Sequence, residues 1–162
     1  MKFPSPRIQT LNRQVLLGEY LEMSVVQNRT RELWTSFGPK IKNIENRKGE
    51  ERFSLQIYPK DYFQHFDPMK VFTKWAAVPV VEEKEQNGLR LLILEKGLYA
   101  VFDYRGMPGD SSIFQYIYQE WLPKLGFTLA DRPHFEVLGP NYQNGSSESE
   151  EEIWIPIEMQ KV

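Results

Sequence analysis

The chain contains no cysteine and only two histidines, His65 and His134. The first absence excludes disulfides, thiol nucleophiles and thiolate metal sites. The second argues against a Ser-His-Asp triad and leaves no histidine cluster for a metal, so no metal is expected. Long hydrophobic runs are missing too. The longest uncharged apolar run, Trp75 to Val81, contains Pro79 and falls far short of the roughly 20 residues of a membrane helix. The N-terminus carries Lys2, Pro4, Pro6 and Arg7 without the apolar core of a signal peptide. A cytoplasmic location and no membrane partner are therefore expected. Neither charge dominates: 20 basic and 22 acidic residues leave a net charge of −2, which excludes a generally basic nucleic-acid binder. There is no GxxxxGK[ST] or GxGxxG phosphate loop, no Gly-x-Ser-x-Gly elbow, and no basic stripe interleaved with aromatics of the kind that grips single strands. No cofactor is expected.

What is present is one domain's worth of chain, 162 residues, long enough to bury about 70% of its unfolded surface. Aromatic residues are abundant: ten Phe, eight Tyr and four Trp make 14%. They fill cores, and several together can line a pocket.

Residues 7–26 are rich in Leu, Val and Ile and are interrupted by Gly18, which suggests a bent or bulged strand. Leu33, Trp34, Phe37, Ile41 and Ile44 recur at helical spacing behind Asn28 and Thr30, with a break expected near Gly38-Pro39. Phe53 to Tyr58 alternates as a half-buried strand. A loop over 59–70, a strand over 72–81 and a charged turn over 82–88 follow. The second half offers Leu91 to Leu94, a strand from Leu98 to Arg105, a helix from Asp110 or Ser111 to Gly126, a strand from Pro133 to Leu138, a polar loop over 139–151, and a last strand over 152–159. The acidic run from Ser146 to Glu152 reads as a solvated loop.

The two halves repeat each other, over about 7–82 and 89–159, within a single domain spanning 1–162. Each reads strand, helix, strand, strand. Phe53-Ser54-Leu55-Gln56-Ile57-Tyr58 aligns with Pro133-His134-Phe135-Glu136-Val137-Leu138, and Trp75 aligns with Trp154. The expected fold is α+β: a pseudo-twofold antiparallel sheet, helices on one face and a ligand groove on the other.

Strand alternation puts Leu55 and Ile57 on one face and Gln56 on the other. It likewise separates Phe135 and Val137 from Glu136. With the apolar residues facing the helices, Gln56 and Glu136 would point into the groove. Glu136 stands inside a strand between apolar neighbours, where a carboxylate is disfavoured and costly unless paired or protonated. A negative charge in an aromatic groove suits an organic cation, with candidate walls Tyr58, Trp75, Tyr99 and Trp154. A solvent-facing residue, or one paired with Arg132 or Arg105, is the plainer alternative. Glu120, on the second helix, reads as exposed.

Glu120-Trp121-Leu122-Pro123, then Asp131 to Val137, then Ile153-Trp154-Ile155-Pro156-Ile157 resemble the signature of the GyrI-like small-molecule-binding family. Leu33-Trp34-Thr35-Ser36-Phe37, Phe53 to Tyr58, Tyr99 to Phe102 and Gly106 agree, so the resemblance runs from about residue 7 to residue 159. It implies the effector-binding domain of AraC- and MerR-type multidrug regulators, a tandem strand-helix-strand-strand repeat whose groove binds bulky, often cationic aromatic compounds. The family's central acidic residue matches Glu136. Relatives often carry Tyr where this chain has Leu138. The chain leaves no room for a helix-turn-helix, so it resembles stand-alone members and no direct DNA binding is expected.

The leading expectation is a binding module that senses or sequesters hydrophobic, cationic aromatic compounds, with Glu136, Gln56, Tyr58, Trp75, Tyr99, Tyr116 and Trp154 around the ligand. A stand-alone sensor would also need a protein partner, which the sequence does not identify. Two alternatives follow from stand-alone relatives. One is a hydrolase that opens cyclopropane-type DNA alkylators, with Glu136 as acid or base, Tyr99 or Tyr116 orienting the substrate carbonyl, and Glu120 as a second carboxylate. The other is a protein-interaction role such as gyrase inhibition. Haem binding is a more distant resemblance.

Overall fold

The computed structural model describes residues 3–159, and these form nine strands and two helical segments. The first half contains β1 (Arg7–Leu11), β2 (Gln14–Met23), α1 (Thr30–Phe37), β3 (Arg52–Ile57) and β4 (Phe72–Pro79). The second contains β5 (Arg90–Leu94), β6 (Gly97–Arg105), a helix from Ser112 to Lys124, β7 (Phe127–Leu129), β8 (His134–Leu138) and β9 (Glu150–Met159). The sheet order is β1-β6-β9-β8-β3-β4-β2-β5, with β7 added beside β9, and every pairing is antiparallel. The expected α+β class and antiparallel sheet are what the structure shows.

The repeat is visible in the register. β3 and β8 pair at the centre of the sheet, Ser54 opposite Glu136, Leu55 opposite Phe135 and Gln56 opposite His134. Exchanging the two halves maps the first of these pairs onto the last, so the pseudo-twofold axis passes between Leu55 and Phe135. Trp75 stands opposite Leu55 as Trp154 stands opposite Phe135.

Each half also lends a strand to the other. β1 pairs with β6, and β5 with β2. Leu11 faces Gly97 and Gln14 faces Leu94, so one register continues across both short links. Since β1 and β2 lie near opposite ends of the strand order yet are joined by two residues, the sheet must curl. Gly18 lies within β2, opposite Ala77 of β4. A Cβ there would lie 2.0 Å from the Ala76 carbonyl oxygen and 2.7 Å from the Ala77 Cα, so only glycine allows β4 to come this close.

The inner face of the curl is a core of Leu16, Phe53, Leu55, Trp75, Tyr99, Val101, Phe135 and Trp154. On the outer face α1 packs Leu33 and Phe37 against Leu17, Ala76 and Val78. The second helix packs Ile113 and Ile117 against Ala100, Phe102, Ile153 and Ile155. Full burial of such side chains is worth about 1.5–3 kcal/mol each.

Both helices depart from regular α geometry. α1 stops at Phe37 and continues as a 3-10 turn, Gly38–Asn43, at the expected break. The second helix is α-helical over Ser112–Gln115, π-helical over Tyr116–Trp121, and closes with Leu122–Lys124. Pro123 has no N–H to give the Gln119 carbonyl, which favours a wider turn there. The short strand β7 is an addition that sequence patterning did not foresee, and β9 begins at Glu150.

One orientation differs from expectation. Gln56 and Glu136 stand on the helix-bearing face, because it is Leu55, Phe135 and their neighbours that fill the inside of the curl. The inner face closes on itself. The outer face has its flanks covered by the helices and its central strands, β3 and β8, left between them.

Candidate functional site: a charged groove between the helices

The floor of the groove is made by alternate residues of four strands: Lys74 of β4, Ser54 and Gln56 of β3, His134 and Glu136 of β8, and Glu151 of β9. Trp34 of α1 and Phe114 of the second helix stand on either side, and Tyr142 closes over from the loop after β8. The cavity enclosed is about 450 Å³. A neighbouring cavity of about 670 Å³ shares Thr30, Arg31, Trp34, Leu138, Tyr142 and Asn144 with it and extends toward Arg52. The Arg52 guanidinium lies 5.8 Å from the Trp34 ring centroid, within cation–π range.

Glu136 is part-buried, and the Gln56 amide donates to its Oε1 at 3.4 Å. Burial raises its pKa above the ordinary carboxylate value, against the opposing pull of Lys74 and the Gln56 hydrogen bond. Glu151 is raised to about 7, first by burial and then by the Glu136 charge, with Lys74 opposing. Lys74 is only 7% exposed. Burial lowers its pKa, while Glu136 and Glu151 work the other way. Two acids and one ammonium thus share a poorly hydrated floor on which each carboxylate makes ionising the other harder.

Beyond Glu136 the groove ends in aromatic rings. The Tyr58 ring lies 4.5–5.2 Å from Tyr62, Phe63, Phe72 and His134. Phe63, from the loop after β3, stacks on Tyr118 at 4.9 Å and on His134 at 5.4 Å. The 59–71 loop therefore plugs this end and ties the first half to the helix of the second. His134 Nδ1 lies 2.8 Å from the Tyr118 hydroxyl, and burial lowers the imidazole pKa to about 3. The Tyr58 and Tyr118 phenols are raised well above 10, mainly by burial and in part by the Glu136 charge. All three groups are neutral near pH 7.

Of the residues singled out in the sequence, the structure brings together Glu136, Gln56 and Tyr58. Trp75, Tyr99 and Trp154 lie on the inner face instead. Trp154 stacks on Phe135, and the Tyr99 hydroxyl donates to the Pro133 carbonyl. Tyr116 stacks on Phe3, and Glu120 is exposed. The pairings of Glu136 with Tyr99, Tyr116 or Glu120 that a hydrolytic reading used are not formed. Arg132 does not reach Glu136 either: it donates to the Leu98 and Ile157 carbonyls.

Sequence reasoning missed Lys74, Glu151, Trp34, Phe114, Tyr118 and Tyr142. Lys74 carried the same signal as Glu136, a charge inside an apolar strand. The Ser146–Glu152 run is not wholly a solvated loop. Its last three residues belong to β9, and alternation with Ile153 and Ile155 turns Glu151 onto the floor. Among the described residues no group of three or more acidic or histidine side chains is arranged to hold a metal. No helix among them is long and apolar enough to cross a membrane.

The sequence matches the model of the integron-associated effector-binding proteins over residues 8–157. The chain belongs to that family. Several solved structures share its fold. SAV2435, solved bound to tetraphenylphosphonium, superposes with a TM-score of 0.68 at 19% identity, over 94% of this chain and 93% of that one. An integron cassette protein from Vibrio cholerae gives 0.67 at 14% identity, covering 96% and 97%. The C-terminal domain of EcmrR gives 0.67 at 13% identity, covering 96% and 98%. Among curated proteins none matches. In this effector-binding family member, the GyrI-like resemblance read from the sequence and the fold agree.

Proposed function

We propose that the protein binds hydrophobic aromatic cations in the groove between its two helices, as a sensor or sequestering module for such compounds. The observation that carries this reading is Glu136. It is a part-buried carboxylate at the pseudo-twofold axis, on the floor of a cavity of about 450 Å³ flanked by Trp34, Phe114 and Tyr142. Water solvates that charge poorly, so a cation brought to it gains more than it would at an open surface. Aromatic faces add about 0.5–2 kcal/mol each, and burial of ligand area adds about 25 cal/mol per Å². Association costs offset much of this, so micromolar binding is expected. Family membership supports an effector-binding role, and SAV2435 offers a relative in fold bound to a lipophilic cation.

The test is a tryptophan-fluorescence titration with tetraphenylphosphonium and with tetraphenylborate, its anionic counterpart of similar shape. Wild-type protein is expected to bind the cation saturably and not the anion. Glu136→Gln should weaken cation binding at least tenfold, about 1.4 kcal/mol. Equal binding by both proteins would remove Glu136 as the anchor.

A further inference from the structure

Lys74 is hard to reconcile with a groove that takes plain monocations. It sits in the middle of β4, between Thr73 and Trp75, with 7% of its surface exposed. It lines the same cavity as Glu136 and Glu151. Among the described residues no carboxylate lies within 4.0 Å of its nitrogen, whereas six other basic side chains form such pairs. Nor does any described acceptor take a hydrogen bond from it. An ammonium has three donors and no acceptor capacity, and Lys74, which lines the cavity, spends none of them on a described protein group. A monocation entering this cavity meets Glu136 and also meets this like charge.

We infer that the groove is built for amphoteric aromatic compounds, molecules that carry a carboxylate as well as a delocalised cation, with Lys74 as the partner of the carboxylate. This rests on the cation-groove reading above and narrows the ligand class it allows. The layout of the floor supports it. β3 lies between β4 and β8, and Glu136 stands opposite Ser54, two residues along from the Gln56 that faces Lys74, so the Lys74 and Glu136 backbones are about 11–12 Å apart. Gln56 stands opposite Lys74 in that middle strand and spends its amide donor on Glu136. The floor thus offers donors at one side and a carboxylate at the other, separated by a neutral residue. Arg31, on the rim of the same cavity, adds positive potential for an anionic group and none for a cation.

The experiment compares rhodamine 110, which carries a free carboxylate beside its cationic xanthene, with rhodamine 123, its methyl ester and a plain monocation. Binding is followed by fluorescence anisotropy at pH 7.5. Wild-type protein is expected to bind rhodamine 110 at least tenfold more tightly. In Lys74→Met, of similar volume, that preference should vanish and rhodamine 123 should bind more tightly than it does to wild type. Wild-type binding of rhodamine 123 equal to or tighter than that of rhodamine 110 would overturn the inference and leave the cation groove standing. A preference that survives in Lys74→Met would overturn it too. No saturable binding of either dye would remove the cation-groove reading and this one with it. The comparison in wild-type protein decides even if the variant does not fold.

Discussion

Gln56 and Glu136 occupy equivalent positions in the two halves of the chain, yet they touch: the Gln56 amide donates to Glu136 Oε1 at 3.4 Å across the pseudo-twofold axis. One half supplies a neutral donor where the other supplies a charge. The repeat brings two symmetric strands together, and a single asymmetric pair of residues makes the site polar in one direction. The Gln56 hydrogen bond favours the ionised form of Glu136. Replacing Gln56 with Met should remove that help, raise the Glu136 pKa further, and weaken tetraphenylphosphonium binding severalfold at pH 7, with partial recovery at higher pH. Identical binding curves for the two proteins across that range would show that Gln56 does not tune the carboxylate.

Cation binding should also depend on Glu151. Its pKa of about 7 means that it is near half-ionised at neutral pH, and a bound cation favours the charged form. Affinity is therefore expected to rise between pH 6 and pH 8, with proton release on binding at pH 7. Glu151→Gln should flatten the rise. Isothermal titration calorimetry in buffers of different ionisation enthalpy reads the proton directly.

Two buried groups pull stability in opposite directions over the same pH range. Glu151 holds its proton more tightly in the folded chain, about 7 against an ordinary 4.5, so its contribution to stability falls as pH rises from about 4.5 to about 7. His134 holds its proton less tightly when folded, about 3 against 6.5, so its contribution is lost as pH falls below about 6.5. Both signs follow from which state binds more protons. Thermal melts should show Glu151→Gln gaining over wild type at pH 8 and little at pH 4.5. A gain confined to low pH would refute the assignment.

The His134–Tyr118 contact joins the strand floor to the second helix. Tyr118→Phe removes the hydroxyl and leaves His134 Nδ1 without its partner, at a cost of about 1–3 kcal/mol for a buried group. A lower melting temperature with unchanged circular dichroism is expected. No change in stability would mean that water replaces the hydroxyl.

Gly18→Ala tests the close approach of β2 and β4. The new methyl would sit 2.0 Å from the Ala76 carbonyl oxygen, and backbone on both strands would have to part. Destabilisation of at least about 1–3 kcal/mol is expected, read as a drop in melting temperature.

Much of the fold was legible because it is written in periodicity. The strand from Phe53 to Ile57 alternates, α1 repeats at helical spacing up to Gly38-Pro39, and the likeness of 53–58 to 133–138 carries the repeat. Glu136 and Gln56 were legible for the same reason, as polar residues in step with apolar ones. β7 was not legible, since three residues carry no period. Nor was Glu151, whose acidic neighbours look like a loop until the register of β9 is known.

By itself the sequence determined which residues share a face, since alternation along a strand is a local property of the backbone. It could not determine which face meets the helices. Leu55 and Phe135 were as well suited to a helix as to a second layer of sheet. That choice belongs to the β1–β6 and β5–β2 pairings, which join residues 72 to 94 positions apart and curl the sheet around its own aromatic core. Trp75, Tyr99 and Trp154 went inside with that core. Glu136, Gln56, Lys74 and Glu151 were left on the outer face between the helices, where their charges share one cavity.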